Sequence, residues 1–304
     1  MKVHYGLEED LGIARSVVTT GTFDGVHIGH QVIIRRINEL AREVGGESVL
    51  ITFHPHPRKV LYPDTLGKDI RMINTQREKI AMLETTGLNH LVIMPFTREF
   101  AHTSSDTFIR EILVRKLKIR KSVVGFNHFF GFNKEGNYEQ LHTLGLELGF
   151  DVEEIPEQDI QNETVSSTKI RKAIEGGNIQ RANAYLNHIL MMMGKLRKED
   201  TGFSRSAGKE TFILPAEEEE KLLPPAGTYA LRIRQEGVNA KCLGIRRSSS
   251  HDDKNLVVIP VEPVGVMQGP ATLQFYKQLS QIEEGQDLSA EIAGALALAD
   301  ELIY

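Results

Sequence analysis

The chain has 304 residues, 40% hydrophobic and 25% charged, a composition that fits a folded globular protein of about two domains and excludes a disordered one. No apolar run approaches the ~20 residues of a membrane-spanning helix and the N-terminus lacks the apolar core of a signal peptide, so the expectation is a cytoplasmic protein without a membrane partner. A net charge of −5 argues against nucleic acid as a partner, and a single cysteine, Cys242, excludes an internal disulfide framework or a cysteine-built zinc site.

Ser16–Thr20 reads as a buried strand ending at Gly21, and beyond it Ile33, Ile37, Leu40 and Val44 recur at helical spacing. Ser48–Phe53 is a second strand, stopped by Pro55 and Pro57, and His90–Pro95 and Ser122–Gly125 are two more. Helical stretches fall around Gln76–Leu83 and Ser104–Leu117, with Ser104 or Ser105 as the cap of the latter. This alternation predicts an α/β domain over residues 1–185, a doubly wound parallel sheet whose ligands sit beyond the carboxyl ends of the strands.

From residue 186 the character changes. Leu190–Gly194 leads into a polar stretch, Arg197–Glu210, and Glu217–Glu220 reads as a solvated face. Gly227–Ile233 and Asn255–Ile259 are strand-like, while Thr272–Tyr304 is helical in composition. Residues 186–304 are therefore predicted to form a smaller, mostly antiparallel β domain with a C-terminal helix.

The sharpest chemical signal is Gly21-Thr22-Phe23-Asp24-Gly25-Val26-His27-Ile28-Gly29-His30. It follows a strand and opens a helix, so its backbone amides and the positive helix end make a natural phosphate site. His27 and His30, three residues apart, share one side of the incoming turn, and Gly29 lets a phosphate approach the backbone. Two imidazoles placed there suit a reaction that builds negative charge around phosphorus. Ser166, Ser167 and Thr168 precede a helical pattern with Arg171 one turn in, a second anion-gripping arrangement. His54 and His56 lie in a proline-fixed turn, and Phe126, Phe129, Phe130 and Phe132 cluster around Asn127, offering aromatic faces and an amide to a flat heteroaromatic ring.

Gly-x-Phe-Asp-Gly-x-His-x-Gly-His resembles the signature of the bacterial FAD synthetases, the flavin branch of the H-x-G-H nucleotidyltransferases, usually fused to a riboflavin kinase domain. Thr52–Pro57 is similar to that family's Phe-x-Pro-His-Pro element, and Val124–Gly131 with Asn133–Gly136 to its Val-Gly-x-(Asp/Asn)-x-x-Phe-Gly…Gly segment. Val165–Arg171 matches Ile-Ser-Ser-Thr-x-Ile-Arg, and Phe96, Phe100 and Ala101 form a weaker fifth match. The resemblance covers roughly residues 12–185. It implies a Rossmann-like nucleotidyltransferase fold and an FMN adenylyltransferase that uses ATP with Mg²⁺ and releases FAD and pyrophosphate. It places His27 and His30 in catalysis, and Gly21, Thr22, Phe23, Asp24, Gly25, Gly29, Ser166, Ser167, Thr168 and Arg171 with ATP. Phe53, His56, Pro57, Asn127, Phe130 and Gly131 fall to the flavin and its phosphate, with no protein-held metal.

The second domain has the outline of a riboflavin kinase: Met193–Leu196 resembles the opening Ser-Gly-x-Val strand and Leu223–Ala230 resembles Leu-Pro-x-Gly-x-Tyr-Ala. The kinase motif Gly-Phe-Pro-Thr-Ala-Asn, however, is replaced by Gly202-Phe203-Ser204-Arg205-Ser206-Ala207, and the position of the strand glutamate falls near Val257. An aliphatic side chain is no general base, and without a metal ligand the γ-phosphate charge goes unneutralised, so kinase activity is predicted to be lost unless Glu262, Asp252 or Asp253 serves instead. Other readings remain open on sequence alone: a fully bifunctional enzyme, a nucleotidyltransferase for another phosphorylated acceptor, a metalloenzyme built on His27, His30, His54 and His56, or a flavin nucleotide binder without transfer activity.

Overall fold

The computed structural model describes residues 1–7, 11–126, 128–160, 163–247, 255–264, 267–283 and 285–303, which form two compact units. The first comprises Met1–Ile70 and Ile80–Val165, the second Arg71–Lys79 and Ser166–Tyr304.

The first unit is built on six strands: β1 (Lys2–Tyr5), β2 (Ser16–Thr20), β3 (Ser48–His54), β4 (His90–Pro95), β5 (Ile119–Gly125) and β6 (Asp151–Ile155). They pair in the order β1-β4-β3-β2-β5-β6, every neighbour parallel. Alternation along the strands divides the core between two faces. Val17, Leu50, Leu91 and Val123 pack with Ile34, Ile37 and Leu40 of α1 (Ile28–Glu43). Val18, Val49, Ile51, Val92 and Val124 pack with Phe108, Ile109 and Leu113 and with Leu141 of a later helix. Apolar residues on both faces are what the near-continuous Val/Ile/Leu runs of these strands require. The expected helix at 104–117 is present in two parts: a short turn, Ser105–Thr107, capped by the Ser104 hydroxyl, and a wide π-helical stretch, Phe108–Lys116. β1 had no counterpart in the sequence reading; four residues at the chain start become a strand by pairing with β4.

The second unit is a closed antiparallel barrel of β9 (Leu190–Lys198), β10 (Phe212–Pro215), β11 (Gly227–Gln235), β12 (Val238–Arg246), β13 (Asn255–Pro260) and β14 (Gly269–Gln281), in the order β10-β13-β12-β11-β14-β9. In the first unit, strands β7 (Asp159–Ile160) and β8 (Glu163–Thr164) form a small separate ribbon. Ala230, Leu243, Ile245 and Ile259 of the barrel pack against Leu288, Ile292, Leu296 and Ala299, the last three from the C-terminal helix Ile292–Leu302. The alternate residues, including Tyr229, Leu231, Leu273 and Phe275, are fully buried, as is Cys242, whose thiol is pushed up to about 12 by burial.

One expectation is corrected. Thr272–Tyr304 is not helical throughout: its first ten residues complete β14, because Ala271, Leu273 and Phe275 alternate inward between β9 and β11. The compact units part at 165/166. The reason is packing: the helices Ser167–Glu175 and Ile179–Leu186 belong with the barrel, where Asn183 donates to the Phe275 carbonyl at 2.8 Å and accepts from the Leu190 amide at 2.7 Å.

Candidate active site

The strand order reverses between β2 and β5, since β3 and β4 extend to one side of β2 while β5 and β6 lie on the other. Such a reversal opens a crevice at the carboxyl ends of the two strands. The segments that follow them, Gly21–His30 and Phe126–Gly136, both carry sequence motifs singled out above.

The first loop is pinned to the sheet: Gly21 donates to the Ile51 carbonyl at 3.0 Å, and the Thr52 hydroxyl donates to the Thr22 carbonyl at 3.0 Å. Phe23, Gly25 and Val26 have φ of 48°, 89° and 41°. Glycine adopts this region freely, but a β-branched valine there is strained by ~1–3 kcal/mol, a cost typical of loops shaped for a ligand. Asp24 and Val26 are buried.

His27 is the cap residue of α1, with no side-chain capping bond, and His30 lies in its first turn. Their rings stack with centroids 3.6 Å apart and planes at 21°, and Phe23 lies 4.7 Å from His30 on the same cluster. Gly29 has a role the sequence did not show: a Cβ there would sit 3.3 Å from His27 Cε1, so the glycine makes room for the imidazole itself.

The second loop is held just as firmly. Phe130 and Gly136 exchange backbone hydrogen bonds at 3.0 and 2.9 Å, and a Cβ on Gly136 would lie 2.7 Å from the Phe130 ring. Gly131 has φ 75°, and a Cβ on it would meet the Ser105 amide nitrogen at 2.6 Å. Glu135 fixes the same corner by accepting from the Ser105 amide at 2.7 Å. Phe126 and Phe129 remain about half exposed, at 50% and 52%. Asn127 lies outside the described residues.

Sequence reasoning missed His128. Its Nε2 is 3.1 Å from the Thr20 hydroxyl, joining the loop after β5 to the last residue of β2, and its ring stacks on Phe130 at 5.8 Å. Desolvation pushes its imidazole down to about 4, so it is neutral near pH 7. A histidine inside the Phe126–Phe132 aromatic cluster was the available signal.

Phe53 packs edge-on against Phe96 at 5.6 Å and near Phe100 at 6.0 Å, giving the weak Phe96–Ala101 match a structural basis. His56 accepts from the Arg58 amide at 3.2 Å and so caps the short helix Pro57–Leu61, with Pro57 at its first position.

In the second unit Ser166 caps Ser167–Glu175 by accepting from the Lys169 amide at 3.4 Å. Thr168 is exposed, Ser167 half-buried, and Arg171 Nε donates to the Arg71 carbonyl at 2.9 Å. In the barrel, Ser204 donates to Asp200 at 2.9 Å and lies 3.0 Å from the Thr211 hydroxyl; the Gly202 amide first, and the Ser204 hydroxyl after it, hold the Asp200 carboxyl below its usual range. Val257 packs on the apolar cluster that contains Phe203 and Ile245. Glu262 is exposed, while Asp252 and Asp253 lie outside the described residues. Among the described residues no group of three or more His, Cys, Asp or Glu side chains could hold a metal ion, and no helix is long and apolar enough to cross a membrane.

The family model for FAD synthetase matches residues 12–169, just over half of the chain. The bifunctional riboflavin kinase/FMN adenylyltransferase of Bacillus subtilis (strain 168) is 31% identical over 236 residues, covering 77% of this chain and 72% of that protein. Proteins of the same name from Buchnera aphidicola and Pseudomonas fluorescens are 28% and 26% identical over 84% and 93% of this chain, and 81% and 93% of their own lengths. Among solved structures, one from Streptococcus pneumoniae described as a macrolide-efflux protein shares the fold, with a TM-score of 0.83 and 20% identity over 99% of this chain and 98% of that one.

Proposed function

Because the chain belongs to the FAD synthetase family, we propose that it transfers the adenylyl group of ATP to FMN, forming FAD and pyrophosphate. The observation that carries this reading is the stacked His27–His30 pair at the start of α1, beside the β2/β5 strand reversal. An FMN phosphate oxygen attacks the α-phosphorus, the bond from that phosphorus to the β-phosphate oxygen breaks, and pyrophosphate leaves with its electron pair. No covalent enzyme intermediate is needed, so catalysis is positioning plus charge stabilisation.

In this reading His27 and His30 neutralise charge developing on the α-phosphate and the leaving group. Gly21, Thr22, Phe23, Asp24, Gly25 and Gly29 form the loop that receives ATP, and Ser166, Ser167, Thr168 and Arg171 grip its tail. Phe53, His56, Pro57, Asn127, Phe130 and Gly131 serve FMN. The divalent cation, Mg²⁺, enters as part of the substrate, carried on the phosphates of ATP. A cytoplasmic setting, without nucleic acid or membrane partners, completes the proposal.

The barrel is proposed to have lost riboflavin kinase activity. The hydroxyl of Ser204 is committed to Asp200 and Thr211, and Val257 offers no proton acceptor. The test is incubation of the full chain with ATP, Mg²⁺ and either FMN or riboflavin, followed by chromatography of the flavins. FAD from FMN, with no FMN from riboflavin, is the expected result. Failure to make FAD would overturn the main reading, and FMN formation at ordinary enzyme rates would restore a kinase and point to Glu262 or the aspartates.

A further inference from the structure

A buried ion pair in the second unit has no part in the chemistry described so far. Lys221 and Glu78 are 2% and 0% exposed at their side chains, with Nζ and Oε2 2.6 Å apart. All three ammonium donors of Lys221 are engaged, and both carboxylate oxygens of Glu78 accept hydrogen bonds. Lys221 Nζ also donates to the carbonyls of Ile73 at 2.7 Å and Met191 at 2.8 Å. Glu78 accepts from the amides of Thr75 and Met193, both at 2.9 Å. Burying two charges costs several kcal/mol each before pairing, and an apolar pair of similar volume is often as stable. Stability alone therefore accounts poorly for this pair, and what it holds in place becomes the question.

It holds the segment Arg71–Lys79, which the chain takes from the middle of its first half and packs into the second unit. Met72 is clamped from both sides of Lys221: its amide donates to the Glu220 carbonyl at 2.7 Å and its carbonyl accepts from Leu222 at 2.8 Å. The residue before it, Arg71, presents the carbonyl that receives Arg171 Nε at 2.9 Å. A guanidinium held at its Nε has its plane and reach set by that bond.

We propose that Glu78 and Lys221 are positioning residues for ATP: through the Arg71–Lys79 segment they fix the Arg71 carbonyl that holds the guanidinium of Arg171, the residue read as gripping the ATP tail. This rests on the reading of Arg171 as an ATP-tail residue, and it gives the barrel a task in nucleotide transfer that needs no kinase chemistry.

The test is a double-mutant cycle in the full-length protein, with MgATP affinity measured by calorimetry in the absence of flavin and thermal unfolding followed in parallel. Lys221→Met should weaken MgATP about tenfold, the scale of one well-placed charged hydrogen bond, and Arg171→Ala should do at least as much. In the Arg171→Ala background, Lys221→Met should add nothing further. Glu78→Gln with Lys221→Met removes both charges and guards against misfolding of the single variant; it should melt above Lys221→Met, which leaves a buried carboxylate unpaired, yet bind MgATP just as weakly. Equal weakening with and without Arg171, or parent-like affinity in the charge-free pair, would overturn the positioning role. Failure of the adenylyltransferase reading shows separately, as a parent protein that binds MgATP but forms no FAD from FMN.

Discussion

Replacing His128 with phenylalanine should change how stability depends on pH. The folded imidazole titrates at about 4 against an ordinary value of 6.5. Above pH 6.5 the side chain is neutral in both states and contributes no slope. Between 6.5 and about 4 the unfolded chain binds a proton that the folded chain refuses, so stability falls as pH falls, and below about 4 the loss is complete. At about 1.4 kcal/mol per pH unit the whole window is worth about 3 kcal/mol, of which about 2 kcal/mol is lost by pH 5. His128→Phe keeps the stack on Phe130, gives up the bond to Thr20, and removes this slope. The parent is therefore the more stable at pH 7.5 by roughly 1 kcal/mol, the worth of that bond, and its advantage reverses by pH 5. Urea unfolding of both proteins at half-unit steps from pH 7.5 to 5 reads the crossing. Two profiles that stay parallel across that range would refute the burial argument.

His30→Ala should lower kcat for FAD formation by ~10²-fold or more with a far smaller change in KM, because in the proposed reaction the imidazole acts on charge that develops in the transition state; steady-state kinetics with FMN checks the split. Gly131→Ala should destabilise the protein by ~2 kcal/mol or more and raise KM for FMN, since its φ of 75° strains an alanine and its Cβ would strike the Ser105 backbone. Thermal unfolding and FMN saturation measured together separate the two effects. Acidification below pH 6.5 should also cost stability through His4, whose imidazole is lowered by burial first and then by His90 and Lys2; His4→Phe should flatten that part of the profile.

The parallel sheet was legible because its buried strands are short apolar runs punctuated by glycine and proline, and the loop Gly21–His27 because its motif sits between a strand and a helix. β14 was not, since Leu273-Gln274-Phe275-Tyr276-Lys277-Gln278-Leu279 carries helix-forming residues whose alternation becomes meaningful only between two partner strands. The two bulges in the β11 pairing, at Thr228/Tyr229 and Ala230/Leu231, obscure that period further. The His27–His30 pair could be placed from spacing, but the Gly29 contact depends on a ring rotamer that no sequence pattern specifies. Glu78 and Lys221 were invisible for a simpler reason: 143 residues separate them, and each alone reads as an ordinary surface charge.

Cys242 gives the barrel a built-in clock. It is the one cysteine of the chain, wholly enclosed in β12, and its thiol at about 12 is almost never ionised near neutral pH. Only the thiolate attacks electrophiles, so alkylating reagents meet neither an accessible nor a reactive sulfur while the barrel stays closed. Each opening of the wall returns the thiol to water and to its ordinary acidity. The rate of modification at a single mass-shifted site then follows how often the barrel opens, without any engineered label.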